Sequence, residues 1–233
     1  MIINMEEWDY LENGPHRWEE LCDEFKFACQ KHMQSPIALS TEKVTNSLDK
    51  DFLQLHYEED IYKIRWSKHT FHFLPKNKKN RVKFNDNWFY LEDIHFHLPS
   101  EHSIDGKSYP IEFHLVHYSK AREVLVVAVL FDCIQNTFRG GKASREHSVF
   151  EWVEGCDEVE IDLSQFILSK SSYYAYYGSF TTPPCRGDIH WVVFSEIASL
   201  SSRTLFSFLE KYGWRKNNRP IQEQLQKKIW YAG

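Results

Sequence analysis

Three histidines in two neighbouring segments have the residue type and the spacing of a metal site. His95 and His97 stand one residue apart in a stretch of strand character, and His114 follows in the segment Glu112-Phe113-His114. Residues i and i+2 of a strand project from the same face, so the first two imidazoles point the same way. Three neutral imidazoles leave a bound zinc ion with a free coordination position, which is the arrangement of a catalytic site, whereas structural zinc is closed by four ligands.

A turn between the two segments predicts how the third histidine reaches the first two. Asp105-Gly106 is the preferred pair for a two-residue type I′ hairpin turn. With these residues as the loop, the hairpin register sets His114 directly across from His97, with Cβ atoms about 5 Å apart. Pro99 and Pro110 lie inside the hairpin, where proline favours a bulge. The sequence therefore predicts that the three imidazoles converge, with His97 and His114 as the directly opposed pair.

Two carboxylates accompany the histidines at the same strand spacing. Asp93 precedes His95 by two residues and Glu112 precedes His114 by two, so each shares the face of its histidine. Carboxylates in this position accept the second imidazole N–H of a metal ligand. The alternative interpretation is an ordinary solvated strand carboxylate. An isolated His-x-His pair would be weak support in a chain with 12 histidines, but the third histidine and the carboxylates favour a metal site.

Composition limits the class of protein and its partners. The chain has 233 residues, 42% hydrophobic and 16% aromatic, which fits one β-rich domain spanning residues 1–233. A net charge of −5 gives no reason to expect a nucleic-acid partner. No apolar run is long enough to span a membrane. The first residues lack the basic and apolar regions of a signal peptide, so the sequence predicts either a cytoplasmic protein or a mature form without its leader.

Local patterns predict a fold made mostly of strands. The continuous apolar, β-branched run 124–131 is typical of a strand buried on both faces. Helices are predicted at 18–29, 144–154 and 202–212. Together these patterns predict an α+β domain dominated by strands.

The chain resembles the α-class carbonic anhydrases, specifically those of bacterial type. The matching segments, in the order of the family, are Trp8-Asp9-Tyr10, Gln34-Ser35-Pro36-Ile37, His95-Phe96-His97-Leu98-Pro99-Ser100-Glu101-His102, Glu112-Phe113-His114-Leu115-Val116-His117, Gly178-Ser179-Phe180-Thr181-Thr182-Pro183-Pro184-Cys185 and Asn218-Arg219-Pro220-Ile221-Gln222. The resemblance implies a large, mostly antiparallel, twisted central sheet with short peripheral helices. It also implies a lyase that interconverts CO2 and bicarbonate and acts as a monomer or homodimer.

The resemblance assigns roles to individual residues. His95, His97 and His114 would hold Zn2+, and carbonic anhydrase is the reference case for zinc that lowers the pKa of bound water to near neutrality. Thr181 would accept a hydrogen bond from the attacking hydroxide, and Glu101 would orient Thr181. Without the histidines, the Thr-Thr-Pro-Pro stretch would be interpreted as a turn.

The resemblance also implies a path for the released proton. His69 matches the proton shuttle of the family, because histidine exchanges protons near neutral pH. Tyr10 matches a tyrosine that orders the water chain. The alternative for His69 is a surface histidine on a strand.

The remaining matches concern the substrate pocket and a possible disulfide. The pocket residues implied by the resemblance are Val116, Val127, Phe180, Thr182 and Trp191, which would form a mostly apolar wall for CO2. Cys29 and Cys185 match positions that are disulfide-bonded in exported members of the family. That pairing would favour a periplasmic or secreted location, because disulfides rarely persist in the cytosol.

Three positions depart from the family pattern, and one rival function remains. His72 stands at the cavity rim, where a small polar residue is usual. Asp93 stands where Gln is common and gives His95 a charged partner, which would make that ligand more electron-rich. Phe180 stands where Leu is usual. The rival is a catalytically weak or silent binding module of the same fold. Such relatives typically lose a zinc histidine, whereas this chain keeps all three.

Phe180→Leu is expected to raise kcat/KM for CO2 hydration, because the larger phenylalanine ring narrows the pocket beside the metal. Stopped-flow hydration assays of both proteins measure the effect. An unchanged kcat/KM would contradict the assignment of Phe180 to the pocket.

Overall fold

Strands make up most of the computed structural model, which describes residues 8–30, 32–134, 151–152, 157–165, 167, 171–202, 205–206, 209–210, 215–223 and 227–233. The strands are β1 (Ala38–Leu39), β2 (Asn46–Ser47), β3 (Leu53–His56), β4 (Glu59–Trp66), β5 (Phe71–Pro75), β6 (Arg81–Phe84), β7 (Asn87–His97), β8 (Ser103–Ile104), β9 (Ile111–Ser119), β10 (Val124–Ile134), β11 (Glu151–Trp152), β12 (Glu158–Asp162), β13 (Tyr173–Gly178), β14 (Ile189–Phe194), β15 (Ala198–Ser201) and β16 (Ile229–Ala232). Among these residues, no helix has the length and apolar character needed to cross a membrane.

One large sheet contains every strand described except β1 and β8, which form a small parallel pair. Its main path is β11-β12-β4-β5-β7-β9-β10-β14-β13-β16-β2. Off this path, β6 pairs with both β7 and β3, and β15 pairs with β10. The parallel neighbours within it are β10 with β14, β10 with β15, and β16 with β2. The other pairings are antiparallel. The predicted strand-dominated, mostly antiparallel fold is therefore confirmed.

Helices are short, and the three predicted ones have different outcomes. The predicted helix 18–29 divides into α1 (Trp18–Leu21) and a 3-10 helix (Asp23–Cys29). Of 144–154, only residues 151–152 are described, and they form β11 against β12, so a helix there is wrong. The rest of that range lies outside the described residues. Within 202–212, the described residues Ser202, Leu205, Phe206, Leu209 and Glu210 are helical.

A bulge in β7 decides which face the metal-site residues occupy. The ladder to β9 pairs Leu91 with His117 but Asp93 with Val116, so it passes over Glu92. One extra residue reverses the alternation of side chains. Leu91 and Ile94 therefore pack in the same hydrophobic cluster on one face of the sheet. Asp93 turns to the opposite face, where Val116 belongs to a second cluster. We call this second side the site face.

The hairpin that joins β7 to β9 corrects the predicted register. Asp105 and Gly106 form the turn with φ values of +49° and +77°. However, β7 and β9 pair His95 with His114 and His97 with Glu112. The predicted direct opposition of His97 and His114 is wrong. A shift by an even number of residues preserves the face of each side chain, so convergence of the three histidines is unaffected.

The cause of the shifted register is an excess of residues in the first arm of the hairpin. The arms are joined by the Ser100 N–H, which donates to the Tyr109 carbonyl, and by a bridge from Ile104 to Lys107. Between these two contacts the first arm advances four residues and the second advances two. Residues 101–103 therefore leave the regular ladder.

His117 is a buried histidine on the face opposite the site. It is fully buried, and its Nε2 lies 2.9 Å from the hydroxyl of Tyr57. Burial lowers the pKa of His117 to about 3. Because the unfolded chain binds this proton below about pH 6.5 and the folded chain does not, His117 makes stability fall as pH decreases from 6.5 towards 3.

His117→Gln is expected to flatten the pH dependence of the unfolding free energy between pH 6 and 5 by about 1.4 kcal/mol per pH unit, the effect of one proton. Urea denaturation of metal-free protein at several pH values measures this slope. His32→Gln, at an exposed position, serves as the control and should keep the original slope. Equal slopes for His117→Gln and the unchanged protein would contradict the prediction.

Candidate metal centre

The three histidines of β7 and β9 come together on the site face. One possible ligand atom from each of His95, His97 and His114 lies within 4.8 Å of the others. Their ring centroids are 5.3 Å apart for His95 and His97, 5.4 Å for His95 and His114, and 4.6 Å for His97 and His114. The side chains of His97 and His114 are 2% exposed, whereas that of His95 is 17% exposed. The cluster is therefore buried on two sides and open beside His95.

Each ring uses one nitrogen for a hydrogen bond and has the other left for a metal. Nδ1 of His95 donates to Oδ2 of Asp93 at 2.6 Å. Nδ1 of His97 donates to the carbonyl of Asn217 at 2.7 Å. Nε2 of His114 donates to Oε1 of Glu112 at 2.9 Å. The nitrogens that remain are Nε2 of His95, Nε2 of His97 and Nδ1 of His114.

An orphaned nitrogen tests whether these residues fit a zinc ion. Nε2 of His97 is buried and has no hydrogen-bond partner among the described residues. A buried polar atom without a partner costs about 1–3 kcal/mol, which a coordinated metal would remove. Burial lowers the pKa of His97 well below its ordinary value and that of His114 to about 4, so both rings are neutral at pH 7. Neutral, oriented imidazoles are the ligand form that zinc requires, so the residues fit the ion.

The Glu112 carboxylate is fully buried and accepts four hydrogen bonds. Its Oε2 accepts from the backbone N–H groups of Glu101 and His102, both at 2.8 Å. Its Oε1 accepts from Nδ1 of His102 at 2.6 Å as well as from His114. Burial raises the pKa of Glu112, but His102 and His114 outweigh it and hold the pKa well below the usual range. An ionised carboxylate thus fixes the ring of His114.

The Asp93 carboxylate is shared by two histidines. Besides His95, it accepts from Nδ1 of His72 at 2.8 Å. Burial raises the pKa of Asp93, but His95 and His72 outweigh it and hold the pKa below its ordinary value. His72 therefore lies beside the metal centre, in agreement with its predicted place at the cavity rim.

Glu101 and Thr181 lie together at the base of the site. Both are buried, and Oε1 of Glu101 accepts from the backbone N–H of Arg219 at 2.7 Å. Burial raises the pKa of Glu101 well above its usual range, while the Arg219 N–H and the Thr181 hydroxyl act in the opposite direction. The structure therefore places the predicted carboxylate and hydroxyl near each other, while Oε2 of Glu101 has no hydrogen-bond partner among the described residues.

His69 and Tyr10 meet in a cluster of aromatic rings. His69 is half-buried in the turn that joins β4 to β5. Its ring stacks on Trp8 at 3.8 Å with an interplanar angle of 23°, and Tyr10 meets it edge-on at 5.8 Å. The sequence singled out His69 and Tyr10 but gave no role to Trp8, whose ring stacks on that of His69.

The predicted apolar wall is placed on the site face with one correction. Val116 and Trp191 belong to the hydrophobic cluster of that face, and Phe180 packs against it. Val127 belongs to the cluster on the opposite face, so its assignment to the pocket is wrong. Its neighbour Val126 pairs with Val116 and lies in the site-face cluster. Residues 124–131 of this strand are all apolar, so the sequence gave no alternation from which the face could be predicted.

Other predicted residues lie near the same loop. Thr182 is half-buried, and its carbonyl accepts from the backbone N–H of Cys185. Cys29 and Cys185 are both free thiols in the structure. Cys29 is exposed and donates to the carbonyl of Lys26, while burial raises the pKa of Cys185 to about 11. The predicted disulfide between them is not formed.

Asn217 is a residue of the candidate site that the sequence did not predict. Besides accepting from His97 through its carbonyl, its side chain accepts from the Leu98 N–H and donates to the carbonyls of His69 and Phe96. One residue thus joins a metal ligand to the turn that carries His69. A backbone acceptor 120 residues away from its histidine leaves no signal in the sequence.

Comparison with known proteins identifies the family. The family model described as eukaryotic-type carbonic anhydrase matches residues 13–232. The chain belongs to this family.

Relatives occur in bacteria and plants. A carbonic anhydrase of Neisseria gonorrhoeae is 28% identical over 222 residues, covering 94% of this chain and 85% of the relative. Dioscorin dioA3 of Dioscorea japonica is 31% identical over 246 residues, covering 99% and 88%. The solved α-carbonic anhydrase of Thermovibrio ammonificans, in complex with the inhibitor sulfanilamide, superposes with a TM-score of 0.80 at 28% identity. That superposition covers 96% of this chain and 98% of the other.

Glu112→Gln is expected to weaken zinc binding about 10- to 100-fold, because the amide cannot accept all four hydrogen bonds and leaves buried donors unpaired. Metal-free protein should also lose about 3 kcal/mol of stability, as when one partner of a buried charge pair is removed. Competition titration with a chelator and urea denaturation measure the two effects. The exposed substitution Glu20→Gln is the control. A zinc affinity for Glu112→Gln within twofold of the original would contradict this prediction.

Proposed function

We propose that this carbonic anhydrase family member catalyses the reversible hydration of CO2 to bicarbonate and a proton at a zinc ion held by His95, His97 and His114. The observation that carries the proposal is the orientation of the three rings. Each has one nitrogen tied to an acceptor, and the three others face a common point. In such an open site, zinc supplies a Lewis acid that makes a water-derived nucleophile available near neutral pH.

Thr181 and Glu101 would orient the nucleophile. Glu101 is held by the backbone N–H of Arg219 and lies near the Thr181 hydroxyl. When Glu101 is ionised, the Thr181 hydroxyl can donate a hydrogen bond to the carboxylate, and its oxygen is then left to accept one from the attacking group. This arrangement fixes the lone pair that attacks CO2, which is catalysis by positioning.

The apolar side of the site would hold the substrate. Val116, Val126 and Trp191 belong to the cluster on the site face, and Phe180 packs against it. CO2 has no hydrogen-bond donor, so a dry apolar wall beside the metal suits it better than polar groups do. The ring of Trp191 is fixed because its Nε1 donates to the carbonyl of Ser179 at 3.0 Å.

His69 would carry the product proton to solvent. Histidine exchanges protons near neutral pH, and the half-buried position of His69 leaves part of its side chain accessible to water. Stacking on Trp8 defines one position for its ring. The rival interpretation as a silent binding module is not favoured, because the three histidines and their three acceptors are all in place.

Zinc removal and His69→Ala separate the parts of this proposal. Stopped-flow CO2 hydration is expected to disappear after dialysis against a chelator and to return with one equivalent of zinc. His69→Ala is expected to lower kcat about 10- to 100-fold with kcat/KM nearly unchanged, because proton release follows the attack on CO2. Added imidazole buffer should restore kcat.

The control for His69→Ala is His32→Ala, at an exposed position with no contact to the site among the described residues. Protein that binds zinc but hydrates no CO2 would support the silent binding module instead. Equal losses of kcat and kcat/KM in His69→Ala would contradict its role in proton transfer.

A further inference from the structure

His72 lies beside the metal centre but has no part in the steps above. It belongs to β5, which pairs with β7 through Phe73 and Ile94. Carrying this antiparallel register one residue further sets His72 across from His95, and their rings are 5.4 Å apart. The Asp93 carboxylate joins them, accepting from Nδ1 of His72 at 2.8 Å and from Nδ1 of His95 at 2.6 Å. The three side chains form one hydrogen-bonded chain that ends on a metal ligand.

The acceptors of the other two ligands are held by the backbone. Glu112, which orients His114, is fixed by two backbone N–H groups and by His102. The carbonyl that orients His97 belongs to Asn217, whose side chain makes three hydrogen bonds to neighbouring backbone. Neither acceptor can turn away without breaking several buried hydrogen bonds.

Asp93 has no such backbone support among the described residues. There, His72 makes the only other hydrogen bond to its carboxylate. The side chain of Asp93 is 20% exposed, that of His72 is 19% exposed, and that of His95 is 17% exposed, so packing restrains all three less than it restrains the buried ligands. A partly solvated carboxylate that lost its second donor would rotate towards water and leave the His95 ring free to turn.

We propose that His72 is a positioning residue, which holds the Asp93 carboxylate in the orientation that fixes His95 for the metal. The inference rests on the proposed zinc site. Removing a direct outer partner of a metal ligand typically costs 10- to 100-fold in affinity. His72 acts one step further out, so its loss should accelerate zinc release by about 3- to 10-fold.

The test measures the rate at which zinc-loaded protein releases its metal to excess chelator. His72→Phe keeps the ring and removes the N–H donor, and His72→Val is a second variant without a donor. Both should release zinc faster. His72→Gln keeps a donor and should stay close to the original rate. His190→Phe, a half-buried histidine on the opposite face of the sheet, is the matched control and should not change the rate.

A double-mutant cycle shows whether His72 acts through Asp93. In an Asp93→Ala background, His72→Phe should give no further acceleration. Full acceleration in that background, or an unchanged rate for His72→Phe and His72→Val alone, would overturn the inference. So would a second zinc ion that His72→Phe removes, because His72 would then be a ligand. Zinc binding without CO2 hydration would overturn the proposed function and leave this inference standing; absence of zinc binding would overturn both.

Discussion

The buried carboxylate of Glu112 is the interaction on which the rest of the site depends. Transfer of an ionised carboxylate into a protein interior is strongly unfavourable unless donors surround it. Here four donors do so: two backbone N–H groups, from Glu101 and His102, and the rings of His102 and His114. The same contacts hold the extra residues of the hairpin against β9. They therefore set both the ring of a metal ligand and the position of Glu101, which must meet Thr181.

The three histidines of the proposed metal site differ in how deeply their side chains are buried and in what accepts their hydrogen bonds. The side chains of His97 and His114 are almost completely buried, while that of His95 is partly exposed to solvent. In the proposed reaction a substrate and a proton would need a path to the metal, so at least one of the proposed ligands must border the opening. That ligand cannot be held by packing alone. The acceptor of His95 is the partly exposed Asp93 carboxylate. The buried rings of His97 and His114 bond instead to the Asn217 carbonyl and to the buried Glu112 carboxylate.

The strand period and the Asp105-Gly106 turn were sufficient to predict that the three histidines converge, because face depends only on odd or even spacing. Register was not predictable, since the excess residues in one hairpin arm follow from contacts with a side chain on the other arm. The face occupied by Val127 was not predictable either, because the run 124–131 places apolar residues on both faces of the sheet. Asn217 acts on His97 through a carbonyl that every residue possesses, so its role follows only from where the loop lies. Local pattern thus predicted the candidate ligands together with the acceptors Asp93 and Glu112. The third acceptor, the Asn217 carbonyl, follows only from the tertiary structure.

Two irregularities flank the histidines of β7, and their sizes explain their different effects. The bulge at Glu92 adds one residue and so reverses the face, which takes Asp93 and His95 out of the cluster that holds Leu91. The hairpin arm adds two residues and so keeps the face while moving His114 from His97 to His95. A regular ladder without the bulge would point the histidines into the hydrophobic cluster opposite the site. With the bulge, the strand contributes Phe96 to one core and its metal ligands to the other face, so one strand serves both stability and chemistry.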